Sequence, residues 1–185
     1  MKGQKRGGAP MDEKQLIRLA QQGDAFAAEQ LVKTWYQPVF AYFYKNTGQY
    51  HLAKDLTQET FLRMTAALGS YHPWGSFRGW LFTIAANCLK NHWRTLSRRP
   101  EETPISDDHP QESDPLQRSA QHQDLETALT RLPPEQREAV ILRYYHDLTI
   151  REISKATGTG ASTVKARLRY GLVKLRKELA GYEED

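Results

Sequence analysis

The sequence predicts an all-α protein: two small helical domains joined by a flexible linker. Three observations lead there. Apolar residues recur at helical spacing through two separate blocks, and nowhere is there a sustained period-2 alternation bounded by turn residues. Between the blocks, a stretch near residues 97–123 holds Pro100, Pro104, Pro110, Pro115 and the pair Asp107-Asp108, with few large apolar residues beyond Ile105 and Leu116. Such a segment cannot bury enough surface to offset its ordering entropy. The 185 residues are 39% hydrophobic and 26% charged, a balance that suits compact helical domains with modest cores. The expected boundaries are a disordered tail at 1–11, a first domain at 12–98, a linker at 99–123, a second domain at 124–180 and a tail at 181–185.

In the first block, Asp12 to Gln22 reads as a short helix with Leu16, Ile17 and Leu19 inward, ended by Gly23. Asp24 is an N-cap for the next helix, which carries Phe26, Ala27, Leu31 and Trp35. Pro38 predicts a break or kink before Val39, Tyr42 and Phe43, because proline removes a helical donor and crowds the preceding turn. Leu52, Leu56, Leu62 and Leu68 mark a third helix that stops near Gly69. An aromatic loop with Pro73 and Gly75 follows, then a long helix from about Phe77 to Leu96. Its apolar face holds Trp80, Leu81, Ile84, Ala85 and Leu89.

In the second block, a helix around Leu125 and Leu129 stops before Pro133-Pro134. The next, Glu135 to Tyr145, should bury Val140, Ile141 and Tyr144. Thr149 to Thr157, the turn Gly158-Thr159-Gly160, and a basic helix from Ala161 to about Leu179 complete the block. Two helices joined by a tight glycine-containing turn, the second one basic, form a helix-turn-helix signature. Val164, Leu168, Leu172 and Leu175 fall on the inward stripe of that last helix. Ser162, Lys165, Ala166 and Arg169 then face outward at i, i+3, i+4 and i+7. Lysine and arginine reach guanine edges in a major groove, and an alanine methyl can touch that of thymine. Arg151, Thr163 and Arg167 are better placed for phosphates, which set register without reading sequence.

Charge supports nucleic acid as a partner. The net charge is only +4, but it is concentrated. From Thr60 to Pro100 there are six basic residues and no acidic one, and from Ser154 to Lys177 seven and again none. Solvated helix faces ordinarily mix signs, so unrelieved positive windows point to a polyanion. The first window also concentrates aromatics: Tyr71, His72, Trp74, Phe77, Trp80, Phe82 and Trp93. Rings interleaved with cations suit unpaired bases. Trp80 lies on the apolar stripe, whereas Tyr71, His72 and Trp74 lie in a loop and are expected at the surface. Asn87, one turn before Asn91, offers an amide to a flipped base edge. One face has the opposite character. Asp55, Gln58 and Glu59 sit at i, i+3 and i+4 on the third helix, opposite Leu52, Leu56 and Phe61. An acidic-amide patch on a basic chain is unsuited to DNA and reads as a protein-docking face.

These motifs together resemble the bacterial RNA polymerase sigma factors of the extracytoplasmic-function type. Asp55-Leu-Thr-Gln-Glu-Thr-Phe61 resembles the family's region 2.2, Phe77 through Arg94 resembles regions 2.3 and 2.4, and Leu132 through Arg143 with the helix-turn-helix resembles region 4. The resemblance implies promoter-specific initiation of transcription. It places Asp55, Gln58 and Glu59 on the β′ clamp helices of core polymerase. Tyr71, His72, Trp74 and Asn87 fall where the family builds a pocket for a flipped base. Lys90, Asn91 and Arg94 fall on the −10-facing helix; Lys165, Ala166, Arg169 and Tyr170 fall on the −35-reading face. It also implies docking of region 4 on the β flap, and control by an anti-sigma factor. Two departures stand out: Gly160 sits where the family uses a Ser or Thr cap, and Tyr170-Gly171 replaces a basic-alanine pair.

Other classes fit less well. A stand-alone helix-turn-helix regulator would need a dimer interface and would leave the Asp55–Glu59 patch without a purpose. An enzyme acting on nucleic acid would want clustered carboxylates or a metal site, but Asp107-Asp108 sits in the linker and the six histidines are scattered. Cys88 and His92, at i and i+4, supply only two of the four ligands a structural zinc requires, so no metal and no cofactor is expected. A single cysteine and the lack of a membrane-length apolar run point to a cytoplasmic location with no membrane insertion. Finally, two basic faces on a tether need masking. The two domains are therefore expected to close on each other, or on an inhibitory partner, when polymerase is absent.

Overall fold

A computed structural model describes residues 12–72, 75–97 and 120–180. They form eight helices: α1 (Glu13–Gln21), α2 (Ala25–Thr47), α3 (Tyr50–Leu68), α4 (Phe77–Ser97), α5 (Ala120–Thr130), α6 (Pro134–Tyr144), α7 (Ile150–Thr157) and α8 (Ala161–Ala180). Among the described residues there is no strand, and no helix is long and apolar enough to cross a membrane.

Several boundaries follow from local chemistry. The Asp24 carboxylate accepts from the Ala27 N–H at 3.0 Å and starts α2. Gly48, in the left-handed region at φ 70°, ends it. Thr149 and Glu152 form a reciprocal capping box at the start of α7, and Gly158 at φ 68° closes that helix before the turn into α8.

The expected break at Pro38 does not occur, and α2 runs through it to Thr47. Trp35, Val39, Tyr42 and Phe43 are all buried on the same side, so packing outweighs the lost donor. Leu62 is 72% exposed. It lies seven residues after Asp55, on the polar stripe and not the apolar one. Tyr144 and Leu172 are likewise exposed where burial was expected. Gly171 takes the inward position on α8 instead. A Cβ there would stand 3.0 Å from Val140 Cγ2, so glycine lets α8 pass close to α6.

Helices α1–α4 form one bundle and α5–α8 a second, and the two pack directly against each other. Helix α7 lies across α4, while α5 and α6 lie against α2. Tyr42 Oη donates to Glu138 Oε1 at 2.7 Å, Lys45 Nζ meets Glu126 Oε1 at 3.2 Å, and Arg137 Nη1 donates to the Asn46 carbonyl at 2.8 Å. Arg137 also donates from Nε to the Leu129 carbonyl at 2.9 Å, fastening the α5–α6 turn to the end of α2. Ser76 Oγ donates to the Glu152 carboxylate, and Gly79 gives that carboxylate room: a Cβ would lie 2.7 Å from Glu152 Oε1. The two blocks are thus closed on each other, as expected for the chain alone.

Candidate nucleic-acid and protein-docking interfaces

The face of α3 carries Asp55 and Gln58 exposed and Glu59 half-buried, the last paired with Arg63 one turn on. Leu62 extends this stripe, adding an exposed apolar side chain to the two carboxylates and the amide. The sequence signal was available, since 55, 58, 59 and 62 share one helix face.

Downstream, the loop departs from expectation. Tyr71 is 8% exposed, with its ring packed at 4.7 Å from Trp80 and edge-on at 5.6 Å to Phe77. Gln21 Nε2 donates to its carbonyl at 2.8 Å. The expectation of a surface tyrosine is therefore corrected: the loop folds back over α1 and α4, where a large ring gains more from burial than from solvent. Burial, with Glu13 near by, also raises its phenol pKa. His72 is exposed, its Nδ1 at 2.8 Å from the Ser70 carbonyl. Trp74 lies outside the described residues.

On α4, Asn87, Lys90 and Arg94 are exposed, and Asn91 is half-buried with its side-chain oxygen accepting from Arg94 Nη2 at 3.1 Å. Trp93, 40% exposed, adds a ring on the same carboxy-terminal half. The sequence reading counted Trp93 among the aromatics of the basic window and gave it no role. The amino-terminal end of α4 is the part that meets α7. Burial pushes the His92 imidazole below its ordinary value.

On α8, Ser162, Thr163, Lys165, Arg169 and Tyr170 are exposed, while Ala166 and Arg167 are half-buried. Arg151, on α7, is exposed. The Arg169 guanidinium lies 4.8 Å above the Tyr170 ring and donates from Nη2 to its hydroxyl at 3.0 Å, so the two present one composite surface. Desolvation raises the pKa of the half-buried Glu138 carboxyl, and the Tyr42 hydrogen bond, Arg167 and Lys90 work against it without reversing it.

The second bundle also holds an apolar groove of about 710 Å³, lined by Leu125, Leu129, Val140, Tyr144, Leu172 and Leu179. Leu172 and Tyr144 are exposed because they form its wall. No group of three or more potential metal ligands occurs among the described residues.

Comparison with known proteins follows the same division. Residues 31–99 match the sigma-70 region 2 family and residues 122–175 the family of sigma-70, region 4. The chain is 35% identical over 163 residues to the ECF RNA polymerase sigma factor SigE of Mycolicibacterium smegmatis, covering 85% of this chain and 63% of that protein. It is 37% identical over 139 residues to the RNA polymerase sigma factor CarQ of Myxococcus xanthus, covering 71% of this chain and 77% of that protein. Among solved structures, the sigma factor RpoE of Bartonella quintana, in complex with the anti-sigma factor NepR, superposes with a TM-score of 0.67 at 24% identity. That match covers 82% of this chain and 96% of that one. The chain thus spans less than two thirds of the length of the SigE relative.

Proposed function

The chain belongs to the extracytoplasmic-function RNA polymerase sigma factors, and we propose that it binds core polymerase through α3, reads a −10 element with α4 and reads a −35 element with α8. The observation that carries this reading is the division of surface chemistry. An acidic-amide face with an apolar centre sits on α3, and basic faces with aromatics sit on α4 and α8.

On α3, Asp55, Gln58 and Glu59 supply a polar rim around Leu62, the arrangement of a protein interface with a desolvating centre. Their partner is the β′ clamp. The groove beside Tyr144 and Leu172 takes the β flap. On α4, Asn87, Lys90, Asn91 and Arg94 face promoter DNA, with His72 and Trp74 from the adjoining loop. Tyr71 supports that loop from beneath. On α8, Ser162, Lys165, Ala166, Arg169 and Tyr170 face the −35 element, while Thr163 and Arg167, with Arg151 of α7, hold phosphates. The protein works in the cytoplasm, as a binding factor and not an enzyme, and an anti-sigma factor stabilises the closed arrangement.

The test is gel filtration of the purified chain with sigma-free core polymerase, followed by run-off transcription on genomic fragments. Co-elution and promoter-dependent transcripts are expected. Glu59→Arg, which reverses charge on an exposed face, should abolish co-elution while leaving the helical circular dichroism unchanged. Undiminished co-elution of this variant would overturn the docking assignment. Duplex DNA binding without any polymerase binding would point to a stand-alone regulator.

A further inference from the structure

His146 lies in the turn between α6 and α7, yet its side chain belongs to the other bundle. It is 6% exposed, with its ring 4.3 Å from that of Phe82 on α4 and 6.1 Å, edge-on, from that of Tyr42 on α2. Asp147, at φ 52°, turns the chain immediately after it. The His146 carbonyl accepts from Arg78 Nη1 at 3.4 Å, and its Nε2 has no hydrogen-bond partner among the described residues. A polar ring of the second half is thus seated in a slot on the first, against two aromatic rings that also touch each other at 5.6 Å.

We propose that His146 makes the contact between the two halves acid-labile, so that protonation of its imidazole expels the ring from the Tyr42–Phe82 slot and releases α5–α8 from α1–α4. The proposal stands on the contact itself and does not depend on what either half binds.

The charged and titratable groups around the ring decide the sign. From α4 comes Arg78, and from α2 come Lys45 and the Tyr42 hydroxyl. Asp147 pairs with Arg78 at 3.7 Å and is itself largely solvated. Glu138 of α6 lies beyond Tyr42 and holds its hydroxyl, and Glu152 of α7 is engaged by Ser76 and Thr149. An imidazolium would need an acceptor at Nε2 that the slot does not offer, and two cations, Arg78 and Lys45, act against it. Burial, then Arg78, then Lys45 push the imidazole down from 6.5 to about 4 in the closed form.

The open form therefore binds the proton more readily, and the closed form loses stability as pH falls from about 6.5 toward 4. Glu138 works in the opposite direction, because burial raises its carboxyl and its protonation favours closure. Glu152, whose bonds to Ser76 and Thr149 hold its carboxyl below the ordinary range, loses its contribution only below about pH 4.5.

The test uses the full chain with a fluorescence donor and acceptor on Lys54→Cys and Lys174→Cys, both exposed, while Cys88 is buried. Transfer efficiency is followed through a urea titration at about pH 7.5 and about pH 5.5, which yields the opening constant. The wild type should show that constant rising about tenfold between the two. His146→Phe, which keeps an aromatic ring in the slot, should show less than about a twofold rise, and Glu138→Gln should keep at least the wild-type response. An unchanged opening constant in the wild type, or a full tenfold response in His146→Phe, would overturn the proposal. Should His146→Phe fail to close at either pH, the ring is read directly by its proton resonances in the wild type. A titration midpoint near 4 supports the proposal, and one near 6.5 overturns it.

Discussion

Along α8, Ser162, Thr163, Lys165, Arg169 and Tyr170 point to solvent from one continuous helix surface, whereas the surface around α4 is assembled from pieces with different fates. Its carboxy-terminal half is open, with Asn87, Lys90 and Arg94 exposed, while its amino-terminal end is covered by α7. The loop before it turns Tyr71 inward and His72 outward. A face carried by one exposed helix follows from residue spacing alone. A face built from a loop and a helix end depends on what packs over it.

The largest test of this contrast pairs two tyrosines. Tyr71→Ala should lower stability by about 3–5 kcal/mol, the range for deleting a buried ring. Tyr170→Ala should stay within about 0.5 kcal/mol, as surface changes do. Urea unfolding of both variants decides it. A loss below about 1 kcal/mol for Tyr71→Ala would return that residue to the surface and erase the difference between the two regions.

Next in size are the base-reading residues. Lys165→Ala and Arg169→Ala should each reduce discrimination between promoter sequences by about 1–3 kcal/mol, while Arg151→Ala weakens binding equally on every sequence. Competition binding by holoenzyme at one fixed salt concentration separates the outcomes. Equal weakening on all sequences by Arg169→Ala would make α8 a phosphate-binding face only.

Smaller still is the contact that covers α4. Glu152→Ala removes the carboxylate half of the α7 capping box and the bond to Ser76, while Thr149 still accepts from the backbone N–H of residue 152, at a cost of about 1 kcal/mol. The Glu152 carboxyl is held below its ordinary value by Ser76 and Thr149, against a desolvation effect that raises it. Its stabilisation is therefore complete above about pH 4.5 and fades as pH falls through the lower folded value. The difference in urea midpoint between wild type and Glu152→Gln should shrink from about pH 7 to about pH 3. A constant difference would remove the carboxylate charge from the explanation.

Much of the fold was legible because helices are written locally. Asp24, Gly48, the Thr149–Glu152 pair and Gly158 mark ends through side-chain acceptors or left-handed backbone within a few residues. Periodicity failed where a stripe is shared. Leu62 continues the polar face of α3, and Tyr144 and Leu172 line a groove. At Pro38, four buried neighbours overrode a local rule. Of the candidate site, the α3 and α8 faces were readable from spacing, and the position of Tyr71 was not.

By itself the sequence determined the helices, their caps, the stripe of Asp55, Gln58 and Glu59, and the outward cations of α8. These depend on side chains three or four residues apart, which local geometry brings together whatever else the chain does. Only the tertiary structure decided that Glu138 meets Tyr42, that Glu152 lies over Gly79, and that His146 packs against Tyr42 and Phe82. Those partners are far apart along the chain. Which of many polar residues becomes buried against which ring is settled by how two finished helical surfaces fit, and no spacing rule carries that information.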